Sequence, residues 1–184
     1  MTKRDVAQED KMAYLHAYES PVGRLTLVSD GEALTGLWFD RQKYFDRMQP
    51  ACYEEKELPV FAQADRWLAL YFSGKAPDFL PPLAPAGTPF RKAVWEILLT
   101  IPYGKTMTYG EIAREIAKQR GVSRMSAQAV GGAVGHNPIS IMIPCHRVIG
   151  ADGSLTGFAG GLAVKETLLR MEAGKNNSAG KAEI

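Results

Sequence analysis

Short runs of apolar and strand-favouring residues, each closed by turn residues, fill the first third of the chain. Residues 14–20 end at Pro21 and Gly23. Arg24-Leu25-Thr26-Leu27-Val28-Ser29 ends at Asp30-Gly31, and 34–39 follows, a pattern that predicts an antiparallel meander. After an irregular stretch containing Pro50 and Cys52, the period changes. Over 59–73, Phe61, Ala64, Leu68, Tyr71 and Phe72 share one helical face, and Gly74 follows as a stop. Prolines at 77, 81, 82, 85 and 89 then rule out a helix or a central strand, so 76–89 reads as a linker.

Beyond the linker the pattern is helical. Thr88 is placed to cap a helix with Pro89 in its first turn, and Phe90, Val94, Ile97, Leu98 and Ile101 recur at core spacing before Pro102-Tyr103-Gly104. Thr108-Tyr109-Gly110-Glu111 has the form of a capping box, followed by the stripe Ile112, Ala113, Ile116 and Ala117. A third helix is expected over 125–134, stopped by Gly135 and then by Asn137-Pro138. The last two helices form a candidate helix-turn-helix. Gly131-Gly132 inside the second of them costs about 1 kcal/mol per glycine relative to alanine. Something must therefore approach that backbone closely, either a neighbouring helix or a nucleic acid.

These elements predict an α/β (α+β) chain: an N-terminal α/β domain with linker over 1–85, a mainly helical domain over 86–175, and a disordered tail over 176–184. A hydrophobic content of 46% supports a packed core, and no apolar stretch approaches the roughly 18 residues of a membrane span. With no secretory signal and only Cys52 and Cys145, a disulfide scaffold is excluded and a reduced, cytoplasmic setting is expected. A net charge of +2, from 22 basic and 20 acidic residues, neither supports nor refutes nucleic-acid binding.

The candidate chemistry lies in Ile143-Pro144-Cys145-His146-Arg147-Val148. A thiolate is the reactive form of cysteine, and at a free pKa of about 8.5 little of it exists at neutral pH without a base. Ile139-Ser140-Ile141-Met142-Ile143 is expected to be extended before Pro144, which delivers Cys145 from the interior. Neighbouring side chains of an extended chain point apart, so His146 would reach the Cys145 sulfur through a water. Glu166 and Glu172, on a helix expected over 161–172, are candidates to orient the imidazole. Gly157-Phe158-Ala159-Gly160-Gly161 is either a loop able to wrap a flat ligand or an ordinary connection. A buried structural thiol and a cysteine hydrolase both remain compatible with these residues alone.

Together the motifs resemble the O6-alkylguanine-DNA alkyltransferases. The Pro-Cys-His-Arg-Val signature stands at 144–148, preceded by Ala129-Val130-Gly131-Gly132-Ala133 and Asn137-Pro138 and followed by Gly160-Gly161-Leu162-Ala163-Val164-Lys165-Glu166. The match covers about residues 88–173, and the first third resembles the family's ribonuclease-H-like domain in layout. The resemblance implies direct-reversal DNA repair by a single-turnover methyltransferase. Cys145 would be the alkyl acceptor, His146 its base through water, Glu172 the imidazole's support, Asn137 a hinge and Tyr109 an aid to nucleotide rotation. The substrate pocket would include Val148, Gly157, Phe158, Ala159, Gly160 and Lys165, with the carbonyls of Cys145 and Val148 reading the guanine amino group. Alkylated double-stranded DNA would bind through its minor groove against Arg124, Gln128, Ala129, Gly131 and Gly132, with the lesion flipped out. The implied protein is a monomer that needs no cofactor. Since His16 and Cys52 lack a metal-ligand set, no zinc is expected.

Two positions depart from the family pattern. Gln128 stands where an arginine usually fills the gap left by the flipped base, which predicts weaker DNA affinity or slower extrusion. Phe158 replaces a pocket tyrosine, keeping the stacking face without the hydroxyl. A turnover hydrolase using Cys145, His146 and Glu172 and a lesion-binding protein without chemistry are the competing functions.

Overall fold

The computed structural model describes residues 12–40, 42 and 52–174. Its first half is a sheet of four strands, β1 (Ala13–Ser20), β2 (Gly23–Ser29), β3 (Leu34–Phe39) and β4 (Tyr53–Glu55), in the order β3-β2-β1-β4. The first three form the expected antiparallel meander, and β4 adds to β1 in parallel. Gly23 and Gly31 take positive φ at the two hairpin turns, a conformation that side-chain-bearing residues avoid. The Asp30 carboxylate accepts the main-chain N–H groups of Glu32 and Ala33 and closes the second turn.

Helix α1 (Pro59–Phe72) covers the sheet with Phe61, Ala64, Leu68 and Tyr71 buried as its period requires, while Phe72 is half-buried. The proline-rich segment is more than a linker. Leu34 donates to the Pro82 carbonyl and accepts from Ala84, each at 2.8 Å, so the segment seals part of the outer edge of β3. The expected tail over 176–184 lies outside the described residues.

The second half is built from α2 (Pro89–Leu99), β5 (Met107–Thr108), α3 (Tyr109–Arg120), α4 (Ala127–Gly135), β6 (Val148–Ile149) and α5 (Leu162–Glu172). Local chemistry sets the helix starts. The Thr88 hydroxyl accepts from Arg91, and Thr108 and Glu111 form both bonds of a capping box. Helix α4 begins two residues later than the sequence suggests, because Ser126 takes the cap by accepting the Ala129 N–H. Gly135 does not stop it either: it is the last helical residue, and His136 Nδ1 donates to the Gly132 carbonyl at 2.6 Å before Asn137-Pro138 ends the helix. The indole N–H of Trp95 donates to the Ala133 carbonyl and fixes α2 against α4.

One hydrophobic cluster runs through both halves, from Leu25, Leu37 and Phe61 to Trp95, Ile112 and Val148. The parallel pair β5-β6 brings the start of α3 beside the segment that follows Cys145. Among the described residues no helix is long and apolar enough to cross a membrane.

Candidate active site

The segment entering the site is not extended. Residues 139–143 form a buried turn in which Ile141 takes φ +68°, the one positive φ at a non-glycine among the described residues. Such a conformation costs a β-branched residue about 1–3 kcal/mol and persists only where the surroundings impose it. Those surroundings are non-local. Strand β3 clamps the turn, with Leu37 donating to Pro138 at 2.9 Å and accepting from Ser140 at 3.0 Å, and Ile143 closes it by donating to Ile139.

Asn137 holds the same turn from inside. Its carbonyl oxygen accepts the Ile139 N–H, and its amide nitrogen donates to the Ile143 carbonyl at 2.8 Å and to Cys145 Sγ at 3.1 Å. Cys145 then opens a 3-10 turn through Arg147, so the chain bends at the point where the sequence suggests a straight segment. Burial pushes the Cys145 thiol up, and the Asn137 hydrogen bond and the Lys165 charge offset this only in part. The resting thiol is therefore protonated at neutral pH and needs a base to react.

His146 is fully buried behind Cys145. Its Nε2 lies 2.6 Å from Glu172 Oε1, whereas Nδ1 has no hydrogen-bond partner among the described residues. Burial pushes the imidazole below its ordinary value against the upward pull of Glu172, so it is neutral, carries its proton on Nε2 and presents Nδ1 as a lone pair. Burial would raise the Glu172 carboxyl, but hydrogen bonds and charge from His146 and Arg147 outweigh it and hold the carboxyl at about 2. Glu166, the other candidate, pairs with Arg170 at the surface.

Several further groups surround Glu172. Arg147 forks onto both carboxylate oxygens through Nε at 2.9 Å and Nη2 at 3.1 Å, and its Nη1 donates to the Ile101 carbonyl. The Gly104 N–H donates to Oε2, and the Tyr71 hydroxyl, on α1, donates to Oε1 at 2.7 Å. Arg147 stands in the 144–148 signature without its pairing to Glu172 being evident there, and Tyr71 reads as a core residue until the chain is folded.

Cys145 opens onto a cavity of about 590 Å³. Asn137, Tyr109, Gln128 and Gly131 line it from the helical side, and Gly157, Phe158 and Ala159 from the loop. Ser140 and Thr156 also line it, neither of them evident beforehand. The Ser140 hydroxyl is buried without a partner among the described residues, and the Thr156 hydroxyl donates to the Tyr109 phenol at 2.9 Å. The remaining predicted pocket residues stand behind this wall. Lys165 is fully buried and donates to the Val148 and Thr156 carbonyls, which ties the active-site turn to the loop and occupies one lone pair of the Val148 oxygen. Gly160 packs beneath Phe39, whose ring would meet an added Cβ at 2.8 Å, and Phe39 also packs edge-on against Phe158.

The outer face of α4 carries Gln128, Ala129 and Gly132, all exposed, and Arg124 is exposed in the turn before it. A Cβ on Gly131 would make only ordinary contact with Tyr109 at 3.8 Å, and one on Gly132 would meet nothing within 4 Å. No helix crossing explains the pair. His16 is paired with Asp65, and Cys52 is free and exposed.

Residues 13–85 match the family described as 6-O-methylguanine DNA methyltransferase, ribonuclease-like domain, and residues 89–174 match its DNA binding domain. The chain is 46% identical over 160 residues to a methylated-DNA-protein-cysteine methyltransferase of Haemophilus influenzae, covering 86% of each. It is 45% identical to one of Methanosarcina acetivorans, covering 86% of this chain and 97% of the other. Its structure is similar to that of Mycobacterium tuberculosis O6-methylguanine methyltransferase, with a TM-score of 0.76, 42% identity and coverage of 91% and 96%. Mycobacterium tuberculosis OGT in complex with DNA matches at the same TM-score with 40% identity, over 91% of this chain and 96% of that one.

Proposed function

Because this chain belongs to the 6-O-methylguanine DNA methyltransferase family and is a DNA-binding methyltransferase that repairs O6-methylguanine by methyl transfer to a protein cysteine, we propose that Cys145 is the acceptor. The observation that carries this reading is the line Cys145, His146, Glu172 beneath the cavity, with Asn137 on the sulfur and a bare Nδ1 lone pair on the imidazole. A water passes the thiol proton to His146 Nδ1, and Glu172 stabilises the imidazolium that forms. The Sγ–C bond forms as the C–O6 bond breaks, and the electron pair goes to the purine, which takes up one proton and becomes guanine. Asn137 supports the charge growing on sulfur.

The product is a thioether, and among the described residues no group at the site is placed to cleave it. One molecule therefore repairs one lesion, as a monomer. The substrate is alkylated double-stranded DNA, entered through the minor groove by the glycine face of α4, with the damaged nucleotide flipped into the cavity between the 157–161 loop and Cys145. Gln128 fills the gap, Tyr109 steers the rotating nucleotide and Phe158 stacks on the base. The free thiols of Cys52 and Cys145 support a reducing, cytoplasmic setting. A hydrolase reading is less favoured, because the relatives that match most of the chain are methylated-DNA-protein-cysteine methyltransferases.

The test is to incubate the protein with duplex DNA carrying O6-methylguanine and to map the product by mass spectrometry. One methyl on the Cys145 peptide is expected, and none with Cys145→Ala. Repeated turnover, or an unmodified Cys145 after the lesion has gone, refutes the assignment.

A further inference from the structure

Tyr71 belongs to α1, in the ribonuclease-like half, yet its hydroxyl is buried against the proton relay of the other half. It donates to Glu172 Oε1 at 2.7 Å and lies 3.2 Å from His146 Nε2. A carboxylate only accepts, so the phenol proton is committed to Glu172, and toward Nε2 the phenol oxygen can act only as an acceptor. Both neighbours of Nε2 are then acceptors, and the imidazole proton is confined to that nitrogen. On Oε1, Tyr71 competes with His146 and with Arg147 Nη2 for the same lone-pair density.

We propose that Tyr71 is a positioning residue of the alkyl-transfer relay: its hydroxyl fixes the Nε2–H form of His146 and, by sharing Glu172 Oε1, limits how strongly Glu172 draws a second proton onto the imidazole. The inference rests on the relay described above. The other ionisable groups facing His146 and its partner are Arg147 on the same turn, Lys165 on α5, Cys145, and Tyr103, whose ring meets Tyr71 edge-on and lies under the Arg147 guanidinium. Burial and the Glu172 charge push Tyr71 far above its ordinary range, so it remains a neutral donor throughout.

Tyr71→Phe keeps the ring that stacks on Trp67 at 5.3 Å and removes only the hydroxyl. Glu172 then holds the imidazolium more tightly, and transfer, which needs neutral His146, fails at a higher pH. Single-turnover transfer to duplex O6-methylguanine DNA is measured from pH 5 to 8.5 in both proteins. The midpoint of the acid limb is expected to rise by about half a unit to one unit in the variant. A uniform loss at every pH, with an unmoved midpoint, overturns the role of Tyr71 and leaves the relay standing. Methyl found elsewhere than on Cys145 overturns the relay and the inference with it. Should Tyr71→Phe fail to fold, nitrogen-15 NMR of the wild-type histidines decides: the Nε2–H form of His146 supports the proposal, and the Nδ1–H form overturns it.

Discussion

Glu172 shows how much a buried charge needs around it before it can serve a reaction. An isolated carboxylate in this interior would neutralise itself, but His146, Arg147, Gly104 and Tyr71 all donate to it. Glu172→Gln keeps the shape and removes the charge that stabilises the imidazolium. Single-turnover transfer is expected to fall about a hundredfold or more, with DNA affinity in gel-shift assays changed less than threefold; parallel losses in both count against the relay. Replacing Arg147 by Leu is expected to destabilise the fold by about 3–5 kcal/mol in denaturant titrations, since it strands a buried carboxylate without its fork.

At the scale of elements, α4 trades stability for access. Since a Cβ on Gly132 would meet nothing within 4 Å, Gly132→Ala is expected to raise stability by about 1 kcal/mol in thermal melts. The same substitution is expected to weaken DNA binding, because the added methyl lies on the face we propose for the duplex. Gln128→Arg adds one cation at the first turn of that face. It is expected to tighten binding and to steepen the salt dependence by about one counterion; equal affinity and equal repair rate would show that Gln128 already suffices. Elements of this kind were legible beforehand because their signals are local: the Thr108-Glu111 box, the Asp30-Gly31 turn and the apolar stripe of α1 each lie within a few residues. The turn over 139–143 was not legible. Its shape comes from Leu37, a hundred positions earlier, and from Asn137, which impose on Ile141 a conformation that its own type disfavours. Cys145, His146 and Asn137 were recognisable from their motifs, and Glu172 as one of two candidates on the last helix. Tyr71 was not, because a tyrosine on a core stripe looks the same whether or not its hydroxyl has a partner.

Across the whole molecule, the buried relay makes stability depend on acid. His146 is folded as a neutral base below its ordinary 6.5, so the unfolded chain takes up that proton first and stability begins to fall below about pH 6.5. Glu172, held at about 2 against an ordinary 4.5, adds a contribution that is complete above 4.5 and lost between there and 2. That second contribution is roughly 3 kcal/mol. Denaturant midpoints taken from pH 8 down to 3 are expected to drop in these two stages, and the lower stage is expected to flatten in Glu172→Gln. The same interlocking governs how the chain comes to be folded. The free edge of β3 is closed by residues 82–84 and by the turn after α4, and the second of these leaves the ribosome roughly a hundred residues after the strand itself. Until then the nascent sheet offers Leu37 and its neighbours as an open template for another chain. A polypeptide ending at residue 85 is therefore expected to self-associate in sedimentation experiments where the full chain stays monodisperse, so the strand that seats the reactive turn would also be the point at which an interrupted translation product aggregates.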